Sequence, residues 1–461
     1  MTALLPGDDD TIVAIATAPG RGAVALVRLS GARAIDIARA LGAFGGIGGG
    51  AVVARRAQLV TMRDGVSGDV IDQALVTAFV APHSYTGEDV VELATHGGSV
   101  SPVLVMRACV SAGARAALPG EFTRRAVLNG RMDLLQAEAV ADLVDARTHA
   151  MQRQALSQLD GGLSRRLLAL RDDVIQLEAL IAYDIDFPEE DDGPIAPARI
   201  GAAATVLLDG LDALLRTAPR GAMVRDGVLV VIAGPPNAGK SSLFNALLGE
   251  ARAIVTAIPG TTRDAIEALL DRGGALPLRL VDTAGLRDTD DEVEKLGIEV
   301  SGRYLAQAKV VLACGASPED VARTMEALHD RTTATVIPVH TKWDLWQSAG
   351  SAGHADGVTV SAESGAGLAE LLAHIDAVAQ QTAPGSPQDS VIVTRERHRV
   401  GLTTAREEVA EFVSAWASGA LPAPVAAVHL HTAREAIAEL IGSVETEEVL
   451  ERVFRDFCIG K

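Results

Sequence analysis

The chain has 461 residues, 48% of them hydrophobic, and a formal net charge of −19, so it can bury more than one core and two to four domains are expected. That acidity excludes a general nucleic-acid coat, which draws on clustered Lys and Arg, and confines any RNA contact to a local patch. Its three cysteines, Cys109, Cys314 and Cys458, are odd in number and far apart, which excludes a disulfide framework and gives no zinc-ligand spacing.

No apolar run approaches the roughly 18 residues of a membrane span, and the start "MTALLPGDDD" lacks the basic and apolar regions of a signal peptide. A cytoplasmic location with no membrane attachment is the expectation. From "DTIVAIATAPGRGAVALVRLSG" to "GEDVVELATHGG", short apolar runs alternate with turn residues around one helical stretch, "ARAIDIARAL", and a Gly-rich loop, "AFGGIGGGA". This reads as a mixed α/β domain over 1–125. The period then changes. Leu167, Leu170, Val174, Leu177 and Ile181 step by three and four, marking one face of a helix in a helical segment over 126–225. From 226 to 385 the pattern is β-run, Gly-rich turn, helix, which predicts a doubly wound, mostly parallel sheet. "QQTAPGSPQDS" reads as a linker, and 386–461 returns to helical spacing, most clearly in "REAIAELIGSVETEEVLERVF". The fold class is therefore α/β plus all-α, with two helical blocks flanking one α/β unit.

"VLVVIAGPPNAGKSSLFNALLG" sets GxxxxGK(S/T), Gly234 to Ser241, between an apolar strand and a helix, the context in which this motif cradles phosphates. The backbone of Asn237, Ala238, Gly239, Lys240, Ser241 and Ser242 lines the cradle, the Lys240 ammonium reaches the β and γ oxygens, and Ser241 ligates Mg²⁺. Only five lysines, Lys240, Lys295, Lys309, Lys342 and Lys461, stand among 41 basic residues, so a lysine retained in an Arg-rich chain points to a need for a compact ammonium. Four further pieces follow in the order a GTP-binding domain needs. "VTAIPGTTRD" spans Thr256, Ala257, Ile258, Pro259, Gly260 and Thr261 and offers Thr262 to the magnesium. "LRLVDTAG" ends a strand with Asp282, a metal-side carboxylate, then Thr283, Ala284 and Gly285, whose N–H can sense the γ-phosphate. "HTKWD" supplies Thr341, Lys342 and Asp344; the carboxylate of Asp344 accepts from the guanine N1 and N2 donors, which adenine lacks. Ser361 and Ala362 in "VTVSAESGAG" present backbone to guanine O6. Leu286 follows "DTAG", where Ras-like proteins carry a water-positioning Gln, so another group must orient the water. The carboxylates of "LRDTDDEVEKLG" are candidates, although charge alone favours a solvated helix start.

Over almost its whole length the chain resembles the bacterial tRNA modification GTPase family called MnmE or TrmE. The resemblance rests on "TAPGRGAVALVRLSG", "SYTGEDVVELATHGG", "PGEFTRRAVLNGRMDLLQAEAVADLVDA", "GPPNAGKSSLFNALLG", "AIVTAIPGTTRD", "DTAGLRDTDDEVEKLGIE" and the final "FCIGK", in that order. It implies an N-terminal folate-binding and dimerisation domain, a helical domain built from two chain segments, and a Ras-like G domain inserted between them. It also implies that Glu294 activates the attacking water, and that potassium is held by Asn237, Thr256, Ile258 and Thr261 and stimulates hydrolysis when two G domains meet in a homodimer. The family acts with a flavoprotein, MnmG (GidA), which alone carries FAD, in a heterotetramer or larger assembly. Together they add an aminomethyl or carboxymethylaminomethyl group at carbon 5 of the wobble uridine of certain tRNAs, with the carbon drawn from a 5-formyl or methylene tetrahydrofolate.

The resemblance assigns folate contacts to Arg28, Glu92, Arg131 and the terminal Lys461, and a chemical role to Cys458. Singly, Arg28 also reads as a strand-edge charge, Glu92 as a solvent-facing strand position, Arg131 as a helix-surface arginine and Cys458 as a buried, inert thiol. Read as a lipidation box, "CIGK" closes on a Lys that such boxes do not use. Three departures stand out: Pro235 after the first P-loop Gly, Thr341 for the usual Asn, and Arg131 for a family Lys. "DIDFPEEDD" reads as an acidic interhelical loop, and "RERHR" as either a tRNA contact or a basic helix start. A switch factor for ribosome assembly is the competing class, although no KH-type RNA-binding loop is legible. An ATPase or kinase is disfavoured by Asp344.

Overall fold

The computed structural model describes residues 9–47, 49–186, 196–250, 253–254, 266–271, 273, 276–282, 302–348, 357–382, 391–419, 422–442, 453–454 and 457–460. They group into two compact units, Met1–Ala141 with Ala438–Lys461, and Asp142–Ile437.

The first unit is built on a six-stranded sheet of order β3-β4-β5-β2-β1-β6. Its strands are β1 (Ile12–Ile15), β2 (Val24–Ser30), β3 (Gln58–Arg63), β4 (Val70–Phe79), β5 (Val90–His96) and β6 (Arg115–Ala116). All neighbours are antiparallel except β1 and β6. The two-residue period of β2 sends Val27 and Leu29 into a core with Ile37 and Leu41, in and just after α1 (Ala34–Ala40), and with Val105 and Cys109 of α2 (Ser101–Ser111). The same period turns Arg28 to the opposite face. There α3 (Glu121–Leu128) supplies Phe122, packed with Ile12 and Ala14. Val127, with Leu134 and Ala137 of α4 (Leu134–Asp145), buries Phe454 and Phe457 near the C-terminus, whose rings lie 5.0 Å apart.

In the second unit, α5 (His149–Leu159), α6 (Gly162–Asp186), α7 (Pro197–Leu215) and α8 (Ala218–Asp226) lead into the other sheet. The predicted helix stripe holds: Leu167, Leu170, Val174, Leu177 and Ile181 are all buried, and α7 lies against both α6 and the later helix Glu396–Ser418. The sheet has the order β13-β12-β11-β7-β10-β9-β8. Its strands are β7 (Val228–Ala233), β8 (Ala253–Ile254), β9 (Ile266–Leu270), β10 (Leu278–Asp282), β11 (Val310–Gly315), β12 (Thr335–His340) and β13 (Val358–Thr359). The five strands from β13 to β10 are parallel, and β9 and β8 turn antiparallel at one edge. The parallel strands read as near-continuous apolar runs because helices cover both faces.

One expectation changes, and one of the two open readings of "RERHR" is met. The long helical reading through "REAIAELIGSVETEEVLERVF" stops at Ile441, because Gly442 adopts φ +87°, a left-handed conformation that ends a helix; residues 443–452 lie outside the described residues. "RERHR" is a helix start held by protein contacts: the Arg395 guanidinium donates to both oxygens of Asp142, at 2.6 and 3.3 Å, and His398 is buried. The "FPEEDD" portion of the acidic loop lies outside the described residues.

Candidate functional site

The strand β7 and helix α9 (Lys240–Glu250) are joined by the loop 234–239. Gly234 has φ +154°, and a Cβ there would sit 2.3 Å from the Cys314 carbonyl oxygen, so only glycine lets the loop leave the sheet at this point. Asn237 is left-handed at φ +61° and Gly239 at +79°, a backbone alternation of the kind that turns successive N–H groups toward one anion. The Lys240 ammonium, buried, donates to the Gly234 and Pro235 carbonyl oxygens at 3.0 and 2.8 Å. Pro235 therefore contributes a carbonyl to the Lys240 ammonium. The Ser241 hydroxyl donates to Asp282 Oδ2 at 2.7 Å, which joins the hydroxyl and carboxylate that a divalent cation on phosphate oxygens would use. Ser242 follows, exposed, on α9. Beneath the loop, burial pushes the Cys314 thiol up to about 12, with nearby Lys240 opposing and Asp282 adding to the rise, so it stays a neutral packing group.

The second cluster comes from the ends of β12 and β13. Thr341, buried, donates its hydroxyl to the Ala238 carbonyl at 2.6 Å and lies 3.1 Å from the Gly315 carbonyl. It thereby ties the loop after β12 to the loop 234–239. Lys342 is left-handed at φ +57°. The Ser361 hydroxyl donates to Asp344 Oδ1 at 2.6 Å, and Ala362 follows in the same turn. Two tryptophans stand here, Trp343 and Trp346, with ring centroids 5.8 Å apart and the Trp346 indole donating to the Ala316 carbonyl. Glu294, Lys461 and the residues Thr256, Ala257, Ile258, Pro259, Gly260, Thr261, Thr262, Thr283, Ala284 and Gly285 lie outside the described residues.

A separate site lies on the first unit. Arg28 and Glu92 are direct partners across β2 and β5, both on interior strands of the sheet. The Arg28 guanidinium donates to Glu92 Oε1 from Nε at 3.0 Å and from Nη2 at 2.9 Å, and from Nη1 to the Gly460 carbonyl at 3.4 Å. It also lies 5.5 Å from the Tyr85 ring centroid and 5.7 Å from that of Phe122, a cation held between aromatic faces. The strand-edge and solvent-facing alternatives for Arg28 and Glu92 are thus set aside. Arg131 is not on a helix; it follows α3 and its Nε donates to the Ser84 carbonyl at 3.2 Å. Cys458 is exposed, not buried. Its carbonyl accepts from Gly120 N, and Gly460, at φ +97°, approaches Ile15 so closely that a Cβ would lie 2.7 Å from the Ile15 carbonyl oxygen.

Comparison with known proteins connects these features. The MnmE helical domain family matches residues 134–458, and the family of the GTP-binding protein TrmE N-terminus matches residues 11–131. The tRNA modification GTPase MnmE of Moorella thermoacetica is 40% identical over 470 residues, covering 98% of this chain and all of that protein. That of Methylorubrum populi is 43% identical over 470 residues, covering both chains completely. The chain belongs to the MnmE tRNA modification GTPase family. Among solved structures, the G domain of the T. maritima FeoB iron transporter covers 33% of this chain and 99% of its own, at 26% identity and a TM-score of 0.25.

In this family member Lys240 and Thr341 bond to the loop 234–239, which carries Asn237, Ser241 bonds to Asp282, and Arg28, paired with Glu92, reaches Gly460 in the C-terminal tail. Sequence reading missed Tyr85, Phe122 and Gly460. With aromatics at only 3% of the chain, two rings within the short turns "SYTGED" and "PGEF" were the available signal. One consequence is testable at Thr341. Thr341→Val keeps the shape but leaves the buried Ala238 carbonyl without its 2.6 Å donor, so GDP affinity is expected to weaken roughly 10-fold. Intrinsic fluorescence reads this directly, because two of the three tryptophans flank the base loop and the third, Trp416, stacks on Phe412.

Proposed function

We propose that this chain is a GTP hydrolase that acts in tRNA modification and, with a flavoprotein of the MnmG (GidA) type, serves the aminomethylation of carbon 5 of the wobble uridine. The observation that carries the hydrolase reading is the Lys240–loop and Ser241–Asp282 geometry, joined to the base loop through Thr341. Lys240 holds its positive charge where the β and γ oxygens of a nucleotide sit against the loop, and its two carbonyl contacts keep the side chain from swinging away. Asp344, oriented by Ser361, accepts from the two guanine edge donors; with adenine it would face a base lacking both, which gives selectivity for guanine. Ser241, Asp282 and Thr262 would hold magnesium, and Asn237, Thr256, Ile258 and Thr261 would hold potassium. When bound, these cations balance the negative charge that builds on the transferring phosphoryl group. Asn237, exposed on the loop 234–239 and left-handed at φ +61°, is compatible with this role. Glu294 is assigned to orienting the attacking water.

For the first unit, Arg28, Glu92, Arg131 and Lys461 are proposed to hold a tetrahydrofolate, with Cys458 as a participant in the uridine chemistry. The fit rests on the Arg28–Glu92 pair between Tyr85 and Phe122, which presents charge and flat apolar faces suited to a planar heterocycle, and on an exposed Cys458 thiol within three residues of the chain end. The protein is proposed to work as a homodimer in the cytoplasm. Nucleoside analysis of tRNA from a strain lacking this protein tests the whole reading. Loss of the carbon-5 group from wobble uridines is expected, restored by the intact chain and not by a Cys458→Ser variant. Unchanged wobble uridines would instead support a GTP-dependent assembly factor.

A further inference from the structure

Asp344 lies in a short helix, Trp343–Ser348, entered through Thr341 and Lys342. Trp346 stands two residues further on, about 200° around the helix from Asp344, so the two side chains leave opposite faces. On one face the Ser361 hydroxyl donates to Asp344 Oδ1 at 2.6 Å. On the other the Trp346 indole N–H donates to the Ala316 carbonyl at 2.8 Å.

The acceptor is held in place from both sides of the chain. Ala316 directly follows β11, whose last residue, Gly315, pairs with His340 and leaves no room for a Cβ, which would lie 2.5 Å from Val321 N. It directly precedes Ser317, whose hydroxyl caps the helix Pro318–Leu328 by accepting from Asp320 N at 3.1 Å. The start of the helix Trp343–Ser348 is pinned by Trp343 N, which donates to the Val360 carbonyl at 3.1 Å. Trp346 supplies a further tie about one turn later, and its ring centroid lies 5.8 Å from those of both His340 and Trp343. A phenylalanine would keep a ring against these neighbours but would bring no donor to Ala316.

We propose that Trp346 is a positioning residue for guanine selectivity: its bond to Ala316 sets the rotation of the helix Trp343–Ser348 and so aims the Asp344 carboxylate along the guanine edge. This rests on the role given to Asp344 under the proposed function. A carboxylate accepts from N1–H and the 2-amino group together only when it is aligned with both, whereas a single contact tolerates a swivel. Releasing the Ala316 side permits that swivel, so the second contact is the one lost. Hypoxanthine has N1–H and no 2-amino group, so inosine diphosphate (IDP) separates loss of aim from loss of the site.

The test uses the full-length protein, with GDP and IDP binding measured by calorimetry. The unaltered protein is expected to prefer GDP over IDP roughly 10-fold or more, as one added hydrogen bond to a charged group implies. Trp346→Phe is expected to bind IDP within about threefold of the unaltered protein, which also shows that it is folded, and to hold GDP and IDP within about threefold of each other. Ser361→Ala releases the other face and should collapse the preference in the same way. The double variant should discriminate no less than either single one, because the same contact is lost once. The proposal is overturned if Trp346→Phe keeps its full preference for GDP, or if it weakens GDP and IDP equally, complete loss of both included. Full preference in Ser361→Ala would also overturn it, since Asp344 would then keep its aim with one face released. An unaltered protein that binds GDP no better than ADP would overturn the role of Asp344 itself.

Discussion

Lys240→Ala is expected to lower kcat/KM for GTP by about 100- to 1,000-fold, the range seen when one preorganised charge or donor is removed from a transition-state site. Lys240 is only 7% exposed and donates to two carbonyls of the loop that precedes it. Removing it would strip a positive charge from the loop proposed to hold the nucleotide phosphates, and it leaves two loop carbonyls without their donor. Lys240→Arg is expected to fail as well. The planar guanidinium is larger and directional, and it cannot replace a compact ammonium between the Gly234 and Pro235 carbonyls. In a chain with 41 basic residues of which five are lysines, that contrast is informative. Steady-state turnover with purified protein checks it, and an Arg variant within about threefold of the unaltered enzyme would remove the size argument.

The second large effect is on stability. Glu121, 4% exposed, accepts from Arg115 Nη2 at 2.7 Å, Arg115 Nη1 at 3.0 Å, Arg125 Nη2 at 3.1 Å and Leu118 N at 2.7 Å. Arg125 is itself 2% exposed and reaches Glu88 at 3.1 Å. Glu121→Ala takes one carboxylate away from a buried guanidinium, and is expected to destabilise the first unit by roughly 3–5 kcal/mol. The pH dependence has a definite sign. Burial by itself would raise the Glu121 carboxyl, but the Arg115 hydrogen bonds and the Leu118 N–H, with the nearby charges of Arg115 and Arg125, hold it below the ordinary glutamate value. Its contribution is therefore complete above the unfolded-state value, and is lost as pH falls through the lower folded one. The gap between Glu121→Ala and the unaltered protein should narrow in acid. All three tryptophans lie in the second unit, so hydrogen exchange at α3, and not fluorescence, is the measurement. Faster exchange there is expected to extend to the tail, because Gly120, at the start of α3, packs against Phe457 and donates to the Cys458 carbonyl.

Much of the nucleotide site is legible along the chain because its parts are local. Gly234 to Ser241 needs only a strand, a loop tolerant of positive φ and a helix N-terminus, and these follow from residue type over a few positions. The helix face of Leu167 to Ile181 is equally local, since its period alone says which side is buried. The family resemblance pointed to Arg28 and Glu92, while their individual chemistry did not. They are 64 residues apart, and a one-residue slip in the β2–β5 register would turn them to opposite faces.

Taken by itself, the sequence determined what depends on backbone preference and period: the phosphate loop, the order of the guanine motifs, the alternation that separates Arg28 from the core, and the helical blocks on either side. Only the tertiary structure decided what depends on distant pairing. It brought Gly460 to Arg28 across 432 residues, buried Arg125 with two carboxylates, let Thr341 reach the phosphate loop, and joined Trp346 to Ala316. The physical reason is that such contacts are selected by packing and hydrogen-bond satisfaction summed over the folded chain, and no local propensity encodes that sum.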